Sequence, residues 1–274
     1  MILANTLWEI KEQAKNQAPL VHCITNPISI NGCANMILAL GAKAIMAEHP
    51  KEVEAITQNS HALVVNLGNI TDTRLKAIYL SGLSGVRHQI PRLIDLVGVG
   101  VSPLRLDFGK KYIKDCKPHI IKGNMSEIKA ILGLPTSPIG IDVGEGDQVE
   151  SHNLKESVQI ACQLARQSGA TVLISGKLDI ISNGKDSYLV RNGVDLLSAV
   201  TGTGCMLGAI IGALMPGADP LYAALAGTLI LTIAGELSAN AKGTGSFMVE
   251  LLDHVSSMTK EDFHTIANYV HYKE

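Results

Sequence analysis

The chain has 274 residues, of which 46% are hydrophobic and 18% charged, enough apolar material for a sizeable core and too much for a disordered chain. Its 23 Lys and Arg against 25 Asp and Glu leave a formal net charge of -2, so no basic excess exists to neutralise a phosphate backbone and nucleic acid is not the expected partner. The five cysteines, Cys23, Cys33, Cys116, Cys162 and Cys205, are odd in number and form no CxxC pair, which argues against a disulfide framework or a structural zinc site and for a reducing, cytoplasmic setting.

The opening segment MILANTLWEIKEQAK lacks the early positive region of a signal peptide, and Glu9 and Glu12 interrupt its apolar stretch. From there short apolar runs alternate with longer amphipathic ones. Strands are predicted at Leu20–Ile24, Ala44–Ala47, Ala62–Asn66, Arg92–Val97, His119–Ile121, Thr171–Ser175, Ile180–Ser182 and Ser187–Val190. Their consecutive apolar and β-branched residues suit strands buried on both faces, as in a parallel sheet. Helices are predicted at Ile30–Leu40, Lys51–Gln58, Thr73–Ser81, Ser126–Leu132, Leu154–Ser168, Cys205–Leu214, Leu221–Ala239, Phe247–Ser257 and Glu261–Tyr269. Asp179–Val190 reads as a hairpin turning at Asn183-Gly184. The β-α-β-α order predicts one α/β domain over residues 1–274 with a mostly parallel sheet, and helices alone after Gly202.

Two uncharged runs, Leu196–Ala218 and Pro220–Gly235, raise the question of a membrane. In the first, the continuous apolar part from Cys205 to Met215 is about eleven residues, short of the roughly 20 that a bilayer needs. Neither run carries a flanking Lys/Arg cluster or aromatic belt, so buried core helices are expected and no membrane partner.

Four features carry chemistry. Val200-Thr201-Gly202-Thr203-Gly204-Cys205 runs into an apolar helix. Glycines there let the backbone approach a ligand, and the free amides and dipole of a helix start favour an anion. Cys205 in that field is expected to have a lowered thiol pKa. The same pattern also suits a turn capping a core helix, with Cys205 a small buried hydrophobe. Next, Asn124 and Glu127 follow the strand at His119–Ile121, and their spacing suits a hydrated Mg²⁺ as well as an ordinary helix start. Asp95 ends an apolar run ahead of Gly98-Val99-Gly100, where α/β sheets bind ligands and where Asp also caps turns. Finally, Asn26 in Cys23-Ile24-Thr25-Asn26-Pro27 offers a neutral donor and acceptor for a small polar ligand, or simply starts a turn. By contrast GxxxxGK[ST], HExxH and GxSxG do not occur, so a P-loop, a zincin and a hydrolase elbow are disfavoured.

Taken together these residues resemble the hydroxyethylthiazole kinases of the ribokinase-like superfamily. The likeness runs from His22–Pro27 through Asn31-Gly32-Cys33-Ala34-Asn35, Gly41-Ala42, Met46-Ala47, Gly68-Asn69, Val97–Gly100, Gly123-Asn124, Ser126-Glu127 and Gly140-Ile141-Asp142 to Val200–Cys205. It implies a three-layer α/β/α sandwich on a nine-stranded sheet, and a homotrimer with active sites between subunits. The implied activity is Mg²⁺-dependent transfer of the ATP γ-phosphoryl group to the primary alcohol of 4-methyl-5-(2-hydroxyethyl)thiazole, in thiamine biosynthesis or salvage. By position, Asn26, Met46 and Gly202 are implied to hold the thiazole. Lys122, Ser175 and Gly204 are implied at ATP, Asp95 and Glu127 at Mg²⁺, and Cys205 beside the attacking hydroxyl. Lys122 and Ser175 stand where the family usually has Arg and Thr, and Lys177, Leu96, Val194 and Ala199 also depart from its pattern. Competing readings are another ribokinase-like small-alcohol kinase, or a thiazole-binding oligomer with weakened use of ATP.

Overall fold

In the computed structural model, which describes residues 2–136, 149 and 153–273, the apolar runs build one nine-stranded sheet. Its strands are β1 (Leu20–Ile24), β2 (Lys43–Ile45), β3 (Ala62–Asn66), β4 (Arg92–Asp95), β5 (Ile120–Gly123), β6 (Thr171–Ile174), β7 (Asp179–Ser182), β8 (Ser187–Val190) and β9 (Tyr269–Tyr272). They lie in the order β2-β1-β3-β4-β5-β6-β7-β8-β9. Pairing is parallel from β2 to β6 and antiparallel from β6 to β9. Every residue of β3 to β8 is buried, which explains why these runs are continuously apolar rather than alternating.

The helices are α1 (Ile2–Gln17), α2 (Ile30–Ala39), α3 (Val53–Gln58), α4 (Asp72–Arg87), α5 (Pro103–Cys116), α6 (Met125–Leu132), α7 (Leu154–Ser168), α8 (Leu196–Ala199), α9 (Thr203–Leu214), α10 (Pro220–Leu237), α11 (Thr244–Ser257) and α12 (Lys260–Ile266). Two apolar clusters sandwich the sheet. On one face α1, α2 and α9 to α12 pack against Val21, Cys23, Val64 and Leu93. On the other α3 to α7 pack against Leu63, Val65, Ile94 and Ile121. Alternate strand residues thus feed opposite layers, and each fully buried aliphatic side chain contributes about 1.5–3 kcal/mol. The three-layer α/β/α sandwich is as expected.

The membrane question resolves in the core. α10 is 18 residues long and apolar, and 78% of it is buried inside the fold. Beneath it α9 lies directly on β3. A methyl at Gly212 would stand 2.2 Å from Val64 Cγ2, so this close approach needs glycine.

Three expectations are corrected. Strand structure does not end before Gly202, because β9 adds to β8 near the C-terminus. The helix expected at Glu261–Tyr269 stops at Ile266, since Ala267 turns extended (φ -55°, ψ 118°) and leads into β9. There Tyr188 of β8 stacks on His271 at 4.8 Å between ring centres. Helices α1 and α5, unassigned from the sequence, are both present. The Gly140-Ile141-Asp142 segment lies outside the described residues.

Candidate active site

The site begins with the register of the sheet. Asn66, Asp95 and Lys122 are direct neighbours at the carboxyl ends of the parallel strands β3, β4 and β5, the end at which α/β sheets bind ligands. All three are buried, at 2%, 1% and 3% exposure. Asp95 Oδ2 accepts from Asn66 Nδ2 and from Lys122 Nζ, each at 3.1 Å. Among the described residues its Oδ1 has no hydrogen-bond partner. Burial pushes the Asp95 carboxyl up, and the Lys122 charge and Asn66 amide pull it back. Lys122 loses by burial too, but Asp95, Cys205 and Glu127 outweigh that loss and hold it above its ordinary value, so it stays charged.

The start of α9 closes one side. Gly202 has φ +89°, a left-handed conformation that a glycine adopts without strain, and a methyl there would lie 3.1 Å from Ser29 Cβ. Thr203 Oγ1 pins the turn by donating to Leu197 O at 2.6 Å. Gly202, the N-cap, has no side chain to cap α9, and among the described residues its first amides remain available to an anion. A methyl on Gly204 would stand 3.8 Å from Lys122 Nζ, so helix start and ammonium face the same space.

Cys205 is half-buried, and its Sγ accepts from Asn26 Nδ2 at 3.4 Å and Asn66 Nδ2 at 3.3 Å. Here the expectation of a lowered thiol pKa is corrected. Burial first and the Asp95 charge second push the thiol up, and together they exceed the opposing pull of the Ser29 hydroxyl and then of Lys122.

Asn124 and Glu127 hold each other in a capping box at the start of α6. Glu127 accepts from the amides of Asn124 and Gly98, both at 2.7 Å. Burial, and then Asp95, push its carboxyl up to about 7 against those two donors. Both carboxylates nonetheless line one cleft. Among the described residues no group of three or more metal-ligating side chains gathers. Two carboxylates with one unpartnered oxygen fit a hydrated Mg²⁺, which takes one or two protein carboxylates plus phosphate oxygens, and do not fit an all-protein cage.

That cleft, of about 740 Å³, brings together Asp95, Lys122, Glu127, Ser175, Gly202, Gly204 and Cys205. Asn26 touches it through Cys205, with its own Oδ1 held by the Ile28 and Ser29 amides at 3.1 and 3.2 Å. Met46 stands just past β2, half-buried, and is not on the cleft wall. Sequence reasoning missed two residues. Asn66 ends an otherwise apolar strand, and that lone amide was the available signal. Asp179 opens β7, accepts from Gly176 N at 3.0 Å and is pushed up to about 7 by burial. An acid two residues after Ser175-Gly176-Lys177 could have marked it.

Residues 11–261 match the hydroxyethylthiazole kinase family. A Clostridium botulinum (strain Langeland / NCTC 10281 / Type F) protein named hydroxyethylthiazole kinase 2 is 50% identical over 253 residues, 92% of this chain and 96% of its own. Hydroxyethylthiazole kinase 1 of Methanosphaera stadtmanae is 39% identical, covering 92% of each chain. The structure of a Pyrococcus horikoshii OT3 hydroxyethylthiazole kinase protein superposes with a TM-score of 0.89 at 29% identity, over 98% of this chain and 100% of its own. A ribokinase-like superfamily protein of Enterococcus faecalis V583 shares the fold at a TM-score of 0.60 and 12% identity, covering 92% of this chain and 95% of its own. On its matched residues, its relatives and its fold, the chain belongs to the hydroxyethylthiazole kinase family.

Proposed function

We propose that the chain transfers the γ-phosphoryl group of ATP to the primary hydroxyl of 4-methyl-5-(2-hydroxyethyl)thiazole, with Mg²⁺. One observation carries this reading: the uncapped start of α9, the buried Lys122 and the unpartnered oxygen of Asp95 share a cleft with Cys205. Phosphoryl transfer needs positioning and neutralised charge more than covalent chemistry. The amides at Gly204 and Cys205 stabilise the equatorial oxygens, and Lys122 offsets the charge that develops on them. Asp95 and Glu127 would hold Mg²⁺, which would supply positive charge to offset that of the phosphates. Ser175 and the Asp179-braced turn at Gly176 face the nucleotide side.

The alcohol oxygen attacks the γ-phosphorus, the bond to the bridging oxygen breaks, and ADP departs with the electron pair. The hydroxyl proton leaves late, because the transition state is loose, and passes to an oxygen of the transferred phosphoryl group and from there to solvent. Cys205, with its thiol pushed up, is protonated at neutral pH and positions the alcohol instead of acting as a standing base. Oligomerisation as a homotrimer around this cleft is supported by Ile28 (69% exposed), Leu38 (56%) and Val249 (62%), apolar residues exposed on or beside the adjacent helices α2 and α11. Five free thiols support a cytoplasmic setting.

Purified protein is incubated with the thiazole alcohol, Mg²⁺ and a panel of nucleoside triphosphates, and products are read by mass spectrometry. Thiazole phosphate formed with ATP is expected. Binding of the alcohol without turnover on any nucleotide refutes the kinase reading and favours a thiazole-binding oligomer.

A further inference from the structure

The candidate residues meet at a side chain that no motif picks out. Asn66 closes a strand whose every residue is buried. A buried carboxamide has two N–H donors and an oxygen with two lone pairs, and each one left unpaired is costly. In Asn66 all four are used. Nδ2 donates to Asp95 Oδ2 at 3.1 Å and to Cys205 Sγ at 3.3 Å. Oδ1 accepts from the Gly68 amide at 2.8 Å and from Asn26 Nδ2 at 3.4 Å. The Gly68 bond fixes which end is oxygen. The other N–H of Asn26 goes to the same sulfur at 3.4 Å. Asn66 therefore joins the acid on β4, the thiol on α9 and the amide that follows β1.

We infer that Asn66 is a positioning residue for phosphoryl transfer, holding the Asp95 carboxylate, the Cys205 sulfur and, through Asn26, the floor beneath the acceptor alcohol in one frame. This rests on the proposed kinase reading. A purely structural role would need only the bond from Gly68, which caps the turn after β3. The two roles separate in Asn66→Asp. That side chain keeps its shape and its oxygen for Gly68 and Asn26, but sets an oxygen, not an N–H donor, against Asp95 Oδ2 and Cys205 Sγ.

Two measurements are made on wild type and Asn66→Asp. The first is steady-state phosphorylation of the thiazole alcohol. kcat is expected to fall on the order of 10²-fold, the usual loss for a small misplacement, with both KM values within about threefold. The second is alkylation of Cys205 by iodoacetamide at about pH 8. The sulfur loses a donor and gains an anionic neighbour, so the rate is expected to fall about tenfold. The other four cysteines are buried, and Cys205→Ala supplies the blank. A variant that melts like wild type, and alkylates and turns over within about twofold of it, overturns the inference. If wild type makes no thiazole phosphate, the kinase reading fails, and the alkylation comparison still decides whether Asn66 holds the sulfur. Should Asn66→Asp not fold, Gly68→Ala replaces it, because its methyl would press to 2.8 Å from Asn66 Oδ1 and 2.9 Å from Asn26 Nδ2. The same fall in kcat is expected there, and an unchanged kcat overturns the inference.

Discussion

Replacing Lys122 by Met tests the electrostatic centre of the site. The ammonium lies 3.1 Å from Asp95 Oδ2, and both side chains are buried. It also faces Glu127 and Cys205, and it draws the Asp179 carboxyl down. Removing one partner of a buried pair costs about 3–5 kcal/mol, since the other charge is left uncompensated. Lys122→Met leaves Asp95 with the Asn66 amide as its one side-chain donor and removes the cation from Glu127 and Asp179 as well, so the cost is expected in that full range of about 3–5 kcal/mol. Asp95→Asn leaves Lys122 beside Glu127, and about 1–3 kcal/mol is expected. The double variant should resemble Asp95→Asn alone, so the coupling should equal the Lys122→Met cost, about 3–5 kcal/mol. Urea unfolding of the four proteins measures this cycle. The penalty of Lys122→Met should also shrink toward acid. An unpaired Asp95 has its folded pKa raised above its unfolded one, and protonation removes the offending charge. The reasoning is refuted if Asp95→Asn costs as much as Lys122→Met, or if each costs under about 1 kcal/mol, the range of a solvated surface pair.

Other expectations follow from single features of the site. Cys205→Ala should keep measurable kinase activity, because amides and charges do most of the stabilising; no turnover with unaltered ligand binding would show the thiol to be indispensable. Gly202→Ala forces an alanine to φ +89° and a methyl to 3.1 Å from Ser29 Cβ. A loss of about 1–2 kcal/mol in unfolding free energy and at least about tenfold in kcat/KM is expected; wild-type kinetics would mean that the bend plays no part in binding phosphate. Glu127 is pushed up to about 7 in the fold, so the folded state holds its proton more tightly than the unfolded chain. Its stabilising contribution is full below the unfolded value of about 4.3 and disappears as pH rises through about 7. Wild type should therefore lose Tm more steeply than Glu127→Gln between about pH 5 and 7.5, and parallel slopes in the two melts would rule this out.

What could be read from the sequence was local and apolar. β1, β3 and β8 match their predicted bounds because each is a buried or, at Leu20, partly buried run with a clear turn or polar break beside it. The hairpin of β7 and β8 followed from Asn183-Gly184, and Gly184 has φ +86°. β9 was hidden because Tyr269–Tyr272 becomes a strand only through an edge offered by β8. No window around Glu261–Tyr269 contains that partner. α1 escaped because its buried face, Leu7, Trp8, Ile10, Lys11 and Ala14, includes a lysine. In the site, Asp95 and Cys205 were found singly, and Lys122 only through the family resemblance. Their mutual distances come from strand register, which the sequence does not display. The thiol expectation failed for the same reason: the helix start is local to Cys205, whereas the burial and the Asp95 charge that outweigh it arrive through the fold.

The seat of α9 on β3 has a further consequence. The helix whose first residues line the cleft is clamped, about two and a half turns later, where Gly212 leaves no room for even a methyl beside Val64. The floor of the reaction centre is thus immovable unless the interior is rebuilt. Variation in the cleft lining meets least resistance at the exposed Asp195, Ser198, Ala199 and Thr201.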